Sequence, residues 1–411
     1  MALVIQKFGG TSVRDADRRE IVAQWVHRAK QSNDQVVVVV SAMGRRGDAY
    51  ATDTLLDLIA GKDHTPAQER DLLVSCGEII SAVVLASNLR DRGLSVRVLS
   101  GGEAGVITDD NFGDARILEV RPQLLQGLLA EGTIPVVAGF QGRTADGRMT
   151  TLGRGGSDTT AVALGAALNA SVVDIFTDVD GIKTADPRIV PDARTIAELD
   201  YEEIFQLANL GARVIHPRAV EIGRQSGVAI RVRSTFSEST GTLIAAGHGT
   251  LDPWGHRDPD HAVTGITQLH HLMQFNVTPR SSMVKDWAYH LFMSLGENGV
   301  SVDLINLFPD RVYFCVPPEK TETTKQIVEN LGYAYEAYDD RAKVSIVGSA
   351  IQGLPGVMGR VMAAMAQSDI EILQSADSHS TITLLLHRHN MEKAVFALHR
   401  QFHLDEEVPR K

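Results

Sequence analysis

The chain has 411 residues, of which 44% are hydrophobic and 22% are charged, and its formal net charge is −11. A chain of this length predicts two or three domains, and the composition is that of a soluble globular protein. The acidic balance excludes general nucleic-acid binding, because a phosphate backbone requires a basic surface.

Signals for secretion, membrane insertion or disulfide bonding are weak. The N-terminal residues MALVIQKF show no basic segment followed by an apolar one, so we expect no secretory signal. No apolar run approaches the ~20 residues that a spanning helix needs, and we expect no membrane partner. Cys76 and Cys315 lie far apart, which makes a disulfide framework unexpected. We therefore expect a cytoplasmic metabolic protein.

Apolar, β-branched runs alternate with helical patterns through residues 1–246. The predicted strands are 2–8, 35–41, 95–99, 133–138, 171–176, 228–235 and 241–244. The predicted helices are 15–30, 67–92, 117–129 and one that follows the segment GRGGSDTT to about residue 169. The apolar run VVVVV is typical of a central strand covered on both faces. Residues 1–246 are therefore predicted to form an α/β sandwich domain with a mostly parallel sheet.

The pattern changes after residue 246. Residues 247–262 are rich in Gly, Pro, Asp and His, without periodicity, and are predicted to be a linker. Residues 263–340 and 341–411 each follow a β-α-β-β-α order, which predicts two ferredoxin-like βαββαβ modules. Whether a C-terminal strand completes the first module stays open. The predicted strands are 264–277, 300–307, 311–316, 343–348, 370–375 and 381–387, and the predicted helices are 284–298, 320–331, 355–368 and 391–402.

Two glycine-rich loops, QKFGGTSV and TTLGRGGSDTTA, each lie between a predicted strand and a predicted helix. Glycine lets backbone N–H groups approach a phosphate, and a helix N-terminus favours an anion. Lys7 precedes its glycines, so the first loop is not the usual P-loop, and by itself it is better explained as a tight βα turn with an incidental lysine. In the second loop Arg154 has a planar fork suited to a carboxylate, while Asp158 also suits a helix cap. With the polar loop TDVDGIKTADPR, these segments predict a nucleotide-sized crevice at one sheet edge.

These motifs resemble those of the aspartokinases, a branch of the amino-acid kinase family. The segments KFGGTSV, VVVVVSAMG, SCGEIISA, TTLGRGGSDTTA and TDVDGIKTADPR are similar to its nucleotide and substrate signatures. GVSVDLIN and KVSIVGSAIQGLPGV resemble the family's two regulatory ACT modules, so the resemblance covers essentially the whole chain. The segments GRRGDAYATDTLL and ILQSADSH are most similar to the diaminopimelate-sensitive type of aspartokinase found in spore-forming Gram-positive bacteria.

The resemblance implies ATP-dependent phosphorylation of the β-carboxylate of L-aspartate to 4-phospho-L-aspartate, with Mg²⁺ bound to ATP. It places the chain at the first step toward diaminopimelate, lysine, threonine and methionine, with feedback inhibition through the ACT modules. A carboxylate is already a nucleophile, so the protein mainly positions two anions and screens their repulsion. By this resemblance Lys7 stabilises the transferring phosphoryl group, and Asp158 orients Lys7 and the substrate amine.

The resemblance also assigns an aspartate pocket. Arg154 would bind the α-carboxylate and Glu78 the ammonium group, and the remaining pocket residues would be Thr52, Gly155, Gly156 and Ser157. For Glu78 the alternative is an exposed carboxylate on a helix. For Thr52 the alternative is the N-cap of a helix that begins at Asp53.

The nucleotide would contact residues of all three loops. They are Lys7, Phe8, Gly9, Gly10, Thr11, Ser41, Thr177, Asp178, Lys183, Thr184, Asp186, Arg188 and Arg213. The family usually has tyrosine at the position of Lys183, so stacking of adenine on this side chain is in question. It usually has lysine at the position of Arg213, where arginine keeps the charge but has a different reach. For Ser41 a capping hydroxyl is the alternative, and no protein ligand for Mg²⁺ is evident.

Paired ACT modules imply an amino-acid effector and a homodimer or higher oligomer. Asp303 would receive the effector's amino group, with Asn306 and Gln374 as further contacts, whereas an exposed strand carboxylate and exposed amides are the alternatives. Asp286 stands where related enzymes often have glycine. The sequence leaves meso-diaminopimelate, lysine and threonine open as effectors.

Two other functions compete with this one. The first is another amino-acid kinase, acting on glutamate, N-acetylglutamate, carbamate or UMP, although such enzymes generally lack the tandem tail and the GRGGSD form. The second is a sensor with a relict kinase domain, against which the intact Lys7, Glu78, Arg154 and Asp158 weigh. We expect Lys7→Ala and Arg154→Ala each to abolish most activity with little change in thermal stability.

Overall fold

The computed structural model describes residues 2–32, 35–62, 64–211, 214–247, 262–280, 286–348, 351 and 354–406. The chain divides into two compact units. The first contains residues 1–182, 195–209 and 213–249, and the second contains residues 183–194, 210–212 and 250–411. Most of the predicted linker 247–262 lies outside the described residues, and the predicted domain boundaries stay predictions.

The first unit contains twelve described strands. In chain order they are β1 (Leu3–Phe8), β2 (Gln35–Val40), β3 (Val96–Leu99), β4 (Val106–Thr108), β5 (Ile117–Val120), β6 (Ile134–Ala138), β7 (Gln141–Arg143), β8 (Met149–Thr151), β9 (Val172–Thr177), β10 (Glu198–Leu199), β11 (Ile230–Ser234) and β12 (Thr242–Ile244). The described helices of this unit are α1 (Ala16–Gln31), α2 (Thr52–Asp57), α3 (Ala67–Asp91), α4 (Gln123–Ala130), α5 (Gly156–Leu168), α6 (Tyr201–Asn209) and α7 (Pro217–Ser226).

A large, mostly parallel sheet forms the centre of the first unit. Its strand order is β10-β12-β11-β9-β1-β2-β6-β3, and the run from β11 to β3 is parallel throughout. Residues 36–40 are fully buried, as predicted for a strand covered on both faces. Phe8 and Phe176, from the adjacent strands β1 and β9, stack at 4.7 Å between ring centroids in the core beside α1 and α3. The predicted α/β fold class is confirmed.

A second, four-stranded sheet was not anticipated, with the order β5-β4-β7-β8. The helix predicted over 117–129 is wrong in its first part, where β5 pairs antiparallel with β4. Helix α4 starts only at Gln123, after Pro122 at the N-cap position. β-branched Ile117 and Val120 suit a strand, and Pro122 interrupts the helical run because it has no backbone N–H.

Helix α3 has 25 residues and is long and apolar enough to cross a membrane by length and composition. The expectation that no segment approaches this length is therefore wrong. Half of that apolar window is buried inside the protein, and the buried residues of the helix include Asp71 and Glu78. Burial of this kind is typical of the core helix of a folded domain, and composition alone is weak evidence for a membrane span.

The second unit is built on one antiparallel six-stranded sheet with the order β14-β15-β13-β16-β18-β17. Its strands are β13 (Gly265–Thr278), β14 (Asp303–Leu307), β15 (Val312–Val316), β16 (Ala334–Val347), β17 (Gln374–Asp377) and β18 (Thr381–His387). Its described α-helices are α8 (Trp287–Glu297), α9 (Thr321–Asn330), α10 (Val357–Gln367) and α11 (Met391–Gln401).

The long strands β13 and β16 pair along their whole lengths and so belong to both predicted modules. One core contains Phe275 and Phe314, packed with residues of α8 and α9. The other contains Ile266 and Val344, packed with residues of α10 and α11. The strand predicted at 343–348 begins earlier, at Ala334. The two modules therefore share a sheet instead of having one each.

Candidate active site

The parallel strands of the large sheet all end at one edge, where three adjacent loops begin. Gly9 follows β1, Ser41 follows β2, and Asp178 follows β9. The Ser41 N–H donates to the carbonyl of Phe8 at 3.1 Å, and the Gly9 N–H donates to the carbonyl of Phe176 at 3.2 Å. These hydrogen bonds fix the starts of the loops next to one another, at the position where α/β sheets bind ligands.

Gly10 lies where two of these loops touch. A Cβ at this position would lie 2.6 Å from the carbonyl oxygens of both Ala42 and Gly44. The Gly44 N–H donates to the Gly10 carbonyl at 2.9 Å, so glycine is required by loop packing. Helix α1 begins only at Ala16, after the N-cap Asp15. The helix predicted over 15–30 is confirmed, and residues 11–15 separate Gly10 from its first turn.

Lys7 and Asp158 form an ion pair between the two glycine-rich loops. Lys7 Nζ lies 2.5 Å from Asp158 Oδ1, and each side chain is only 11% exposed. Asp158 lies in the first turn of α5, whose N-cap is Gly155 at φ 67°. A Cβ on Gly155 would lie 2.2 Å from His216 Cβ, so this turn also requires glycine. Asp158 is therefore paired with the lysine and does not occupy the cap position.

The second loop also carries Arg154, which is exposed. Among the described residues its guanidinium has no hydrogen bond or ion pair, so it is free to receive a ligand. Ser157, in the first turn of α5, lies against the loop after β6, where a Cβ on Gly139 would approach Ser157 Cβ to 2.9 Å. The start of α5 therefore lies over the same edge of the large sheet.

Glu78 reaches this edge from α3 and is only 2% exposed. Its Oε1 accepts a hydrogen bond from the Ala42 N–H at 3.1 Å, while its Oε2 has no hydrogen-bond partner within the described part of the chain. Burial raises the pKa of Glu78 to about 8. The alternative that Glu78 is an exposed helix carboxylate is wrong.

Thr52 is the first residue of α2, and the N-cap is Ala51, without a side-chain cap bond. The alternative that Thr52 is an N-cap is therefore wrong. At the third loop, the Thr177 hydroxyl donates to Asp178 Oδ1 at 3.3 Å, and Arg45 donates to Asp178 Oδ2 at 2.6 Å. Arg45 was not predicted, although it follows Ser41 and Gly44 on the loop after β2.

The later residues of the third motif belong to the second unit. The Thr184 hydroxyl is buried and lies 2.9 Å from His399 Nε2. Asp186 pairs with Arg188 at 2.6 Å and accepts from Gln268 Nε2 at 3.1 Å, and these contacts lower the pKa of Asp186. Lys183 Nζ donates to the Ala193 carbonyl at 3.5 Å. Arg213 lies outside the described residues.

The side chains proposed for the effector have partners within the second unit. Gln374 is 9% exposed and donates to the Leu304 carbonyl and to Asn306 Oδ1. Gln374 Oε1 also accepts from Gln274 at 3.1 Å. β14 and β17 stand at opposite ends of the strand order, so these bonds show that the sheet curls until its edges meet. The alternative that Gln374 is an exposed amide is wrong.

Asp303 is exposed and forms an ion pair with Lys343, so the charge of this strand carboxylate is matched within the second unit. Asp286 is the N-cap of α8 and has φ 62°. This left-handed backbone favours glycine, which is the residue that the resemblance implies at this position.

Several residues near Arg154 were missed by the sequence analysis. Asp71 is buried and accepts hydrogen bonds from Thr151 and Gly113, and Arg218 pairs with Asp114 at 2.8 Å. His216, the N-cap of α7, lies beside Gly155, and burial lowers its pKa. Asp71 lies two helical turns before Glu78 on the same buried face of α3, and that spacing is a signal that sequence reasoning could have used.

Comparisons with known proteins identify the family of this chain. The model of the amino acid kinase family matches residues 2–234, and an ACT domain model matches residues 336–400. The chain is 45% identical over 405 residues to aspartokinase 1 of Bacillus subtilis, covering 98% of this chain and 100% of that protein. The chain belongs to the aspartokinase branch of the amino acid kinase family. It is also 39% identical over 415 residues to an aspartokinase of Geobacillus stearothermophilus, covering 99% of each chain.

Solved aspartokinase structures share the fold. The structure of E. coli aspartokinase III in complex with aspartate and ADP, in the R-state, has a TM-score of 0.78 and 26% identity, covering 97% of this chain and 99% of that chain. The T-state of the same enzyme, in complex with lysine and aspartate, has a TM-score of 0.76 at the same identity and coverage. The aspartokinase fold with ACT modules is thus shared over nearly the whole chain.

Proposed function

We propose that this chain transfers the γ-phosphoryl group of ATP to the β-carboxylate of L-aspartate, giving 4-phospho-L-aspartate and ADP. The observation that carries the proposal is the ion pair of Lys7 with Asp158, which joins the two glycine-rich loops at the carboxyl edge of the parallel strands. A cation at this position offsets the repulsion between triphosphate and carboxylate, which is the main electrostatic obstacle to the transfer.

The acceptor needs no general base, because the β-carboxylate of aspartate is ionised at neutral pH. One of its oxygens forms a bond to the γ-phosphorus while the bond from that phosphorus to the bridging oxygen of ADP breaks. Lys7 stabilises the negative charge of the transferring group, and Asp158 fixes the position of the lysine ammonium. The contribution of the protein is therefore mainly orientation and charge.

The amino-acid end of the substrate is recognised by two charged side chains. The free Oε2 of Glu78 accepts the substrate ammonium, and this supplies the partner that the buried carboxylate lacks among the described residues. Arg154 binds the α-carboxylate through its planar fork. Thr52, Gly155, Gly156 and Ser157 line the rest of the pocket.

The triphosphate lies along the loops that follow β1, β2 and β9. The first-unit residues of this site are Phe8, Gly9, Gly10, Thr11, Ser41, Thr177 and Asp178. Thr184, whose buried hydroxyl lies 2.9 Å from His399 Nε2, also stays a prediction. Lys183, Asp186, Arg188 and Arg213 stay predictions.

Mg²⁺ accompanies ATP and neutralises part of the phosphate charge. Within the described part of the chain, no group of three or more His, Cys, Asp or Glu side chains is arranged to hold a metal ion. Mg²⁺ commonly binds through substrate phosphates and water, with few protein ligands. Mg²⁺ would be held by the phosphates of ATP together with water molecules.

We also propose cytoplasmic activity at the first step toward diaminopimelate, lysine, threonine and methionine. An amino-acid effector, among meso-diaminopimelate, lysine and threonine, acts through the second unit of a homodimer or higher oligomer. E. coli aspartokinase III, which shares the fold, is described in complex with lysine and aspartate. Inhibition requires that the effector bind one of two conformations more tightly.

A hydroxylamine trap tests the activity. Purified protein is incubated with ATP, Mg²⁺, hydroxylamine and either L-aspartate, L-glutamate or N-acetyl-L-glutamate, because an acyl phosphate reacts with hydroxylamine to give a hydroxamate and phosphate. We expect aspartyl hydroxamate as the main product. Product from another acid, or none from any, would refute the proposal and favour another kinase or a sensor.

A further inference from the structure

Arg154 has no side-chain partner among the described residues, so its position depends on the backbone of its own loop. That loop, residues 152–156, begins at the end of β8 and leads into α5. The loop backbone is unusual, since both Gly153 and Gly155 have positive φ angles, of 71° and 67°. Whatever fixes this backbone therefore fixes the point from which the Arg154 side chain extends.

Asp71 holds the start of the loop. This carboxylate is 2% exposed, and its Oδ2 accepts from the Thr151 N–H at 2.8 Å and from the Gly113 N–H at 3.1 Å. Its Oδ1 accepts from the Thr151 hydroxyl at 2.9 Å. A buried carboxylate without an adjacent cation is costly, and hydrogen bonds of this kind are what offset the cost. Asp71 thus joins α3 to the residue that precedes the loop.

A second set of contacts holds the side of the loop. The Ala115 N–H donates to the Thr151 carbonyl at 2.9 Å, so residues 113–115 run beside the end of β8. Arg218 pairs with Asp114 at 2.8 Å and also donates to the Leu152 carbonyl at 3.1 Å. Asp114 Oδ1 would lie 2.4 Å from a Cβ on Gly153, which shows how closely it packs on the loop.

We infer that Asp71, with the Asp114–Arg218 pair, positions Arg154 for the α-carboxylate of the substrate. These three side chains, which we call the brace, act through the loop backbone and do not themselves touch the substrate. The inference rests on the proposed function, because it concerns how the same pocket achieves its affinity for aspartate. It predicts that weakening the brace impairs aspartate binding and leaves nucleotide binding largely unchanged.

The test compares Asp71→Asn and Arg218→Met with the wild-type enzyme in the hydroxamate assay, measuring kcat and both KM values. The asparagine keeps the shape of Asp71 but loses the charge that accepts three hydrogen bonds, and the methionine removes both contacts made by the Arg218 guanidinium. We expect KM for aspartate to rise at least about tenfold in each variant, since small misplacements of a positioning group reduce efficiency strongly. KM for ATP is expected to stay within about twofold.

Asp174→Asn is the matched control. Asp174 is equally buried, at 3% exposure, and pairs with Arg231 at 2.6 Å, but it lies on β9 and not on the brace. This variant is expected to lower Tm without a selective rise in KM for aspartate. Arg218 and Asp114 are partly exposed, so Arg218→Met tests the brace even if Asp71→Asn fails to fold.

Binding of aspartate without nucleotide gives a second readout, because aspartate should raise Tm less in both brace variants than in the wild-type enzyme. Folded brace variants with an unchanged KM for aspartate would overturn the inference. An equal rise in the Asp174→Asn control would also overturn it. A wild-type enzyme that makes no aspartyl hydroxamate refutes the proposed function itself, which is a distinct outcome.

Discussion

Lys7 Nζ and Asp158 Oδ1 lie 2.5 Å apart, although the two residues are far apart in the sequence of the first unit. Lys7 lies on a central strand and Asp158 lies in the first turn of a buried helix, and both side chains are nearly excluded from water. The ion pair therefore joins the two glycine-rich loops. Lys7 is therefore part of the folded core as well as of the proposed active site.

Lys7→Ala should lower kcat by about 100- to 1000-fold, the usual cost of removing a group that stabilises transition-state charge. Our sequence-based expectation that stability would hardly change is revised by the structure, because the variant leaves Asp158 buried without its cation. Loss of one partner of such a pair costs roughly 3–5 kcal/mol. Steady-state kinetics and calorimetry measure the two effects, and Lys7→Ala/Asp158→Ala should recover part of the stability but no activity. Near-normal turnover in Lys7→Ala would refute the assigned role.

Arg154→Ala should raise KM for aspartate roughly 10- to 100-fold, equivalent to about 1.5–3 kcal/mol for a charged hydrogen bond. Tm should stay unchanged, because Arg154 is exposed. Arg154→Lys is the control. Its KM for aspartate should lie between those of the wild type and Arg154→Ala, because lysine keeps the charge without the planar guanidinium. An unchanged KM with a lower Tm would instead indicate a structural role.

Glu78 should make stability depend on pH. Its pKa is raised from 4.5 to about 8 in the folded state, so between these values the folded protein binds more protons than the unfolded protein. The free energy of unfolding should therefore fall as pH rises through this window, by at most about 1.4 kcal/mol per pH unit for this group.

The matched variant is Glu78→Gln, which cannot ionise. The Tm of Glu78→Gln should exceed that of the wild type, and the difference should grow from about pH 5 to about pH 8.5, the window set by the raised pKa. The KM of this variant for aspartate should rise, because the substrate ammonium loses an anionic partner. Parallel Tm profiles for the two proteins across this range would show that Glu78 does not titrate as described.

Gln374→Leu should destabilise the second unit by about 1–3 kcal/mol, because its polar partners at Gln274 and Leu304 are left buried without it. Ser375→Ala, at an exposed position on the same strand, is the control and should change stability by less than about 0.5 kcal/mol. Calorimetry measures both variants. If Gln374→Leu kept its Tm but lost inhibition by an amino-acid effector, Gln374 would be an effector ligand and not a structural bridge.

The structure divides the third motif between the two units, which the sequence did not predict. TDVDGIKTADPR is continuous in sequence, and its polar composition gives no sign of a division. In the folded chain the first residues of the motif lie at the sheet edge. Ala185 of the motif, together with Val190 and Ala193 just after it, belongs to a core of the second unit. Apolar residues in a loop become part of a hydrophobic core only when another surface packs on them. The local sequence pattern carries no information about that surface.

By itself the sequence determined the parallel sheet, the alternating βα order and the two glycine-rich loops, because periodicity and turn chemistry are local properties of the chain. The family followed from the resemblance of its motifs, which are also local stretches of sequence. Only the tertiary structure decided that Glu78 is buried, that Asp158 faces Lys7 and that Asp71 supports the loop of Arg154. These relationships join residues far apart in the chain, and their energies come from desolvation and geometry that exist only after the elements pack together.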